Sequence, residues 1–140
     1  MREIVLDTET TGLDPKSGHR IIEIGAVELL NHIPTGNTYH RYINPEREID
    51  QGAFEVHGLS KKFLEKFANF KNIVDEFNAF IKDDPLIIHN APFDISFLNS
   101  ELLAAGHKPI DKKRIIDTLP MARSKFPGAQ VNLNALCRKY

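Results

Sequence analysis

The apolar run Ile4-Val5-Leu6 leads directly into Asp7-Thr8-Glu9-Thr10-Thr11-Gly12, and this pair of acids at i and i+2 behind a strand constrains the chain most. Alternate side chains of a strand share a face, so Asp7 and Glu9 point one way while Leu6 and Thr8 point the other. Two carboxylates fixed close together beside an apolar interior repel each other. A bound cation relieves that repulsion, and hard cations such as Mg²⁺ or Mn²⁺ favour carboxylate oxygen. Gly12 ends the strand and lets backbone come close to something bound above the acids. A bare Asp-x-Glu also fits a solvated strand end, so its weight depends on the motifs further along the chain.

With 140 residues, 41% apolar and 26% charged, the chain suits one domain with a buried core. The lone Cys137 excludes an internal disulfide and suits a reducing, cytoplasmic setting. No segment approaches the ~18 consecutive apolar residues of a membrane span. Met1-Arg2-Glu3 runs straight into a strand, so no signal peptide and no membrane partner are expected. The formal net charge of −1 supplies no bulk field for a polyanion, so nucleic acid would need local basic clusters or bound metal.

Patterning predicts strands over 3–9, 21–30 and 37–44, joined by connections too short for crossovers and hence antiparallel. Helices are expected from Ser60 through Phe67, and from an Asn69 cap with Phe70, Ile73, Val74, Phe77, Phe80 and Ile81 at helical spacing. Leu86-Ile87-Ile88 reads as a short strand buried on both faces. Pro92 opens a helix with apolar positions Phe93, Phe97, Leu98, Leu102 and Leu103, closed by Gly106. A strand at 114–117 and a helix over 118–126 complete the pattern. The fold class is therefore α/β, with a mixed central sheet, antiparallel N-terminal strands and flanking helices. Asn132 caps an apolar stripe, Leu133, Leu136, Cys137 and Tyr140, that stops without a C-cap. Residues 1–140 are thus expected to be one domain, incomplete at its C-terminus.

A second constellation is His89-Asn90-Ala91-Pro92-Phe93-Asp94, running from the buried strand into a helix. Asp94 in the first turn feels the positive end of the helix dipole, which is expected to keep it ionised and aim it outward. Strand ends of this kind form the mouth where ligands collect in α/β sheets.

Together with Val56-His57-Gly58-Leu59, these motifs resemble the DEDD-type 3′→5′ exonucleases, in particular the branch of proofreading epsilon subunits of bacterial DNA polymerase III. The likeness spans nearly the whole chain, including Ile22-Glu23-Ile24-Gly25-Ala26, Asp117-Thr118-Leu119, Phe126-Pro127-Gly128 and Leu133-Asn134-Ala135-Leu136-Cys137. The resemblance implies a ribonuclease H-like exonuclease fold and two divalent cations, Mg²⁺ or Mn²⁺, about 3.5–4 Å apart on the scissile phosphate. It makes Asp7, Glu9 and Asp94 the catalytic, metal-holding acids. Asp7 would bridge both ions, Glu9 would hold one, and Asp94 would reach the other through water. It implies substrate contacts from Asp7, Glu9, Thr10, Thr11, Gly12 and from His57 on the loop after the third strand. Implied partners are a single-stranded or frayed 3′ end of DNA, losing nucleoside 5′-monophosphates, and a DNA polymerase catalytic subunit.

The chain also departs from that family. Gly52 stands where relatives often carry a sugar-reading glutamate, and no His-x-Ala-x-x-Asp comes after Asp94. A missing general base typically costs roughly 10²–10⁴-fold, so these 140 residues alone are expected to bind metal weakly and hydrolyse DNA poorly. Phe93 and Phe97, four apart on one helix face, read as core rather than as base-stacking groups. Lys61-Lys62, Lys112-Lys113-Arg114, and Arg123 with Lys125 are basic groups open to phosphate, but each also fits a solvated face, the reading favoured for Lys112-Lys113. Two other readings stay open: an RNA-trimming exonuclease of the same superfamily, and a binding module without catalysis.

Overall fold

A computed structural model of the protein describes residues 1–119. The β-rich N-terminal third forms β1 (Arg2–Thr10), β2 (Ile21–Leu30) and β3 (Ile33–Tyr42), each antiparallel to the next. β4 (Leu86–Ile88) then adds parallel to β1, and β5 (Ile115–Asp117) adds parallel to β4. The sheet order is β3-β2-β1-β4-β5, which places the acid-bearing strand in the middle. β1, β4 and β5 run the same way, so their C-terminal ends open at one edge of the sheet.

The alternation expected in β1 is present. Ile4, Leu6, Thr8 and Thr10 are buried, whereas Val5, Asp7 and Glu9 are half-buried on the other face. Ile4 and Leu6 pack with Phe70, Ile73, Val74, Phe77 and Ile81 of α3 (Phe70–Ile81), and with Phe97, Leu98 and Leu102 of α4 (Ala91–Ala104). The helices thus cover the face opposite Asp7 and Glu9. Asn69 caps α3 as expected, its Oδ1 accepting from Asn72 N at 3.1 Å. Among the described residues no helix is long and apolar enough to cross a membrane.

Several expectations change in detail. β3 starts at Ile33, because Asn31 (φ 51°) and His32 (φ 70°) form a two-residue left-handed turn that continues the pairing directly. Pro34 is tolerated there because β3 is an edge strand. The helix expected from Ser60 to Phe67 is a single turn, α2 (Lys61–Leu64), with Ser60 Oγ accepting from Phe63 N. Leu103, expected in the apolar stripe of α4, is 60% exposed. The segment after β3, read as a loop, contains α1 (Gln51–His57). Residues 118 and 119 are helical; the rest of the expected 118–126 helix, the Phe126-Pro127-Gly128 stretch and the stripe ending at Tyr140 lie outside the described residues.

Candidate active site

The parallel ends of β1, β4 and β5 bring Glu9, His89 and Asp117 to one edge, and Asp94 enters on the first turn of α4. Asn90, the residue before α4, has φ 60° and ψ 54°, a left-handed bend turning the chain sharply from strand to helix. The Asn90 amide donates to Asp117 Oδ1 at 3.0 Å, and so does Leu119 N. His89 Nδ1 lies 3.1 Å from Thr118 Oγ1.

Asp94 is not aimed outward. It is 4% exposed, and its Oδ1 accepts a 2.6 Å hydrogen bond from the buried Thr8 hydroxyl. It therefore reaches the acids of β1 from the covered side of the sheet. Burial pushes its carboxyl up to about 7, against the lowering effect of the Thr8 bond, and the charges of Asp7, Glu9 and Asp117 raise it further. Glu9 is also pushed up to about 7, first by burial and then by Asp7 and Glu23. Asp7 is raised chiefly by burial, with the Thr8 backbone bond and His89 acting to lower it. Burial raises all three acids, and the charge of Asp7 raises Glu9 and Asp94 further.

Glu23 was not singled out as a site residue by the sequence, yet it lies directly across the ladder from Glu9, as Gly25 does from Asp7. Asp7, Thr8, Glu9, Glu23 and Gly25 surround a recess of roughly 100 Å³, and His40 Nε2 pairs with Glu23 on its outer side. Only the β1–β2 register could have revealed that meeting. Among the described residues no three His, Cys, Asp or Glu side chains are arranged to hold one ion by themselves. A divalent ion that keeps several of its waters needs only one or two carboxylates from the protein.

Beside the acids lies a cleft of roughly 380 Å³ lined by Glu9, Thr10, Gly12, Leu13, Asp50, Gly52, Ala53, Val56, His57 and Phe93. Thr11 is not in its lining. The Thr10 hydroxyl donates to Gly12 O at 2.6 Å, and the wholly buried Thr11 pairs with His19 Nδ1 at 2.9 Å. His57 is the last residue of α1; its Nδ1 accepts from Leu59 N at 3.0 Å and its Nε2 lies 3.1 Å from Thr10 O. Phe97 is core as expected, while Phe93, 5.1 Å from it between ring centroids, also faces the cleft.

Against known families, residues 4–140 match the model described as Exonuclease. The chain belongs to the exonuclease family. It is 54% identical to the DNA polymerase III subunit epsilon of Rickettsia felis over 143 aligned positions, covering 100% of this chain and 62% of that relative. The chain thus spans under two thirds of that protein's length. Among solved structures, Exonuclease X in complex with 5′ overhanging duplex DNA superposes with a TM-score of 0.73 at 22% identity, covering 98% of this chain and 72% of that one. The metal-free E. coli ExoI–ssDNA complex gives 0.83 at 15% identity, covering 98% and 34%. The fold is the ribonuclease H-like exonuclease fold expected from the motifs.

Proposed function

We propose that residues 1–140 form one exonuclease domain of a cytoplasmic protein that removes nucleoside 5′-monophosphates from the 3′ end of DNA, editing for a polymerase catalytic subunit. The observation that carries this reading is the close approach of Asp7, Glu9 and Asp94, all raised by burial, with Glu9 itself lining a nucleoside-sized cleft. Carboxylates left at such unfavourable potentials favour two divalent cations, Mg²⁺ or Mn²⁺, with Asp7, Glu9 and Asp94 as the holding residues. When bound, such ions supply Lewis-acid activation of water and neutralise charge growing on the phosphate.

The chain's own groups do the positioning. Glu9, Thr10 and Gly12 form one wall of the cleft, α1 forms the other, and Leu13, Ala53, Val56 and Phe93 offer apolar surface for a terminal sugar and base. His57 has both ring nitrogens engaged with backbone, so it serves as a wall rather than as a proton acceptor. The relatedness to epsilon subunits supports DNA as substrate and a polymerase as partner.

No His-x-Ala-x-x-Asp comes after Asp94 in these residues, so binding is the primary readout and hydrolysis is monitored in the same samples. Calorimetry should show Mn²⁺ binding that Asp7→Ala abolishes, and thymidine 5′-monophosphate binding that requires Mn²⁺. Any laddering of 5′-labelled oligonucleotides should start at the 3′ end, favour frayed DNA over RNA and vanish with chelator. Equal Mn²⁺ binding by wild type and Asp7→Ala would refute the proposal. Faster trimming of RNA would move the assignment to the RNA-processing branch.

A further inference from the structure

α1 is a helix of seven residues with none of its side chains buried, so apolar packing does not explain why it stays against the sheet. Isolated helices this short do not persist in water. What holds it is polar. At its C-terminal end His57 Nε2 meets Thr10 O. At its N-terminal end Asp50 N donates to Thr11 O at 2.8 Å, and Asp50 Oδ2 lies 3.1 Å from His19 Nε2. Asp50 occupies the N-cap position yet makes no side-chain capping bond, because its carboxylate faces His19 instead.

His19 completes a chain of contacts. Its side chain is 11% exposed, its Nδ1 is 2.9 Å from Thr11 Oγ1, and that oxygen accepts from Arg20 N at 3.0 Å. One tautomer satisfies every partner: Thr11 O–H donates to Nδ1, and Nε2–H donates to Asp50. The ring lies against the backbone of Gly12, where an added Cβ would fall 2.4 Å from Cε1. Thr11-His19-Asp50 has the outline of a nucleophilic triad, but the Thr11 side chain is wholly buried and its oxygen is already committed, so it attacks nothing.

We propose that His19 is a positioning residue that clasps α1 to the end of β1 and thereby sets the width of the nucleotide cleft. The nucleotide part of this inference rests on the function proposed above; the clasp itself does not.

Two readouts separate them in the 140-residue chain. Hydrogen–deuterium exchange of amides 51–57 should speed up about tenfold or more in His19→Ala and in Asp50→Ala, with β1 unchanged, whether or not any nucleotide binds. Mn²⁺-dependent binding of thymidine 5′-monophosphate should weaken about tenfold in each single variant and no further in the double variant, while Mn²⁺ affinity alone stays within about twofold. His19→Gln, which keeps an acceptor and a donor, should recover most of both effects and guards against a folding defect. Unchanged exchange in α1, additive effects in the double variant, or parallel loss of Mn²⁺ affinity would overturn the clasp. If wild type binds no nucleotide while exchange behaves as stated, the function proposal fails and the clasp survives.

Discussion

The Thr8 hydroxyl donates to Asp94 Oδ1 across 2.6 Å, joining the C-terminal end of the acid-bearing strand to the first turn of α4. The two residues are 86 positions apart, and both are buried. This bond fixes the Asp94 rotamer and favours its charged form, since a hydrogen bond to a carboxylate stabilises the anion.

Replacing Thr8 with Val keeps the shape and removes the donor. Partners that orient a metal-binding group typically contribute roughly 10–100-fold in affinity. Thr8→Val should therefore weaken Mn²⁺ binding about tenfold in calorimetry near pH 7.5, and Thr8→Ser should stay close to wild type. Equal affinities for wild type and Thr8→Val would show that the bond is incidental.

The elevated acids also shape stability against pH. Asp94 and Glu9 titrate near 7 in the folded, metal-free chain, against ordinary values of 3.8 and 4.5. Between those limits the folded state holds protons that the unfolded state has released, so stability falls as pH rises from about 4 towards 7. In chelator, these acids should therefore make the protein melt several degrees higher at pH 5.5 than at pH 7.5. Asp94→Asn, which keeps an oxygen for Thr8, should remove much of that slope and raise the metal-free melting temperature at pH 7.5. Saturating Mn²⁺ should do the same for wild type and do little for Asp94→Asn. A flat melting temperature across this window in chelator would contradict the assigned titrations.

The legible parts of the fold were those written in local period or cap chemistry. The alternation of Ile4 to Glu9 and the helical spacing from Phe70 to Ile81 behind Asn69 survive intact. α1 escaped because seven residues with no buried face carry no period. The site was legible as residue types but not as meetings. That Glu23 faces Glu9 depends on antiparallel register, and that Asp117 reaches Asp94 depends on the parallel β4–β5 pairing. The helix dipole expected to keep Asp94 charged contributes only about 0.3–1 kcal/mol at a typical surface site, whereas burial of a carboxyl can outweigh that several times over. Burial wins. Gly12, read as room for a bound group, lines the cleft and also makes room for the ring of His19.

That last contact makes a prediction of its own. Gly12 does not have a positive φ, so its requirement is space rather than backbone freedom. Gly12→Ala drives a methyl into an imidazole held by Thr11 and Asp50, and overpacking of this kind costs about 1–3 kcal/mol. Thermal unfolding should show that loss, and the Gly12→Ala/His19→Ala pair should be more stable than the sum of the two singles predicts. Strict additivity would mean that the backbone shifts elsewhere to absorb the methyl.

Glu101 of α4 ties the same region to the start of β2. Its side chain is 5% exposed; Oε1 accepts from Arg20 Nη2 at 2.7 Å and Nε at 3.2 Å, and Oε2 accepts from Ile21 N at 3.1 Å. Arg20 comes directly after His19, and its backbone carbonyl accepts from Thr11 N, so this ion pair anchors the strand end that carries the His19 contacts. Truncating one partner of a buried pair leaves the other charge uncompensated, at a cost of about 3–5 kcal/mol when both are buried. Arg20 is 33% exposed, so the loss for Arg20→Ala should be nearer ~2 kcal/mol after solvent screening. Glu101→Ala should cost more than Arg20→Ala, because it also orphans the Ile21 amide. Urea unfolding of both variants tests the order, and a smaller loss for Glu101→Ala would show that the Ile21 bond contributes nothing.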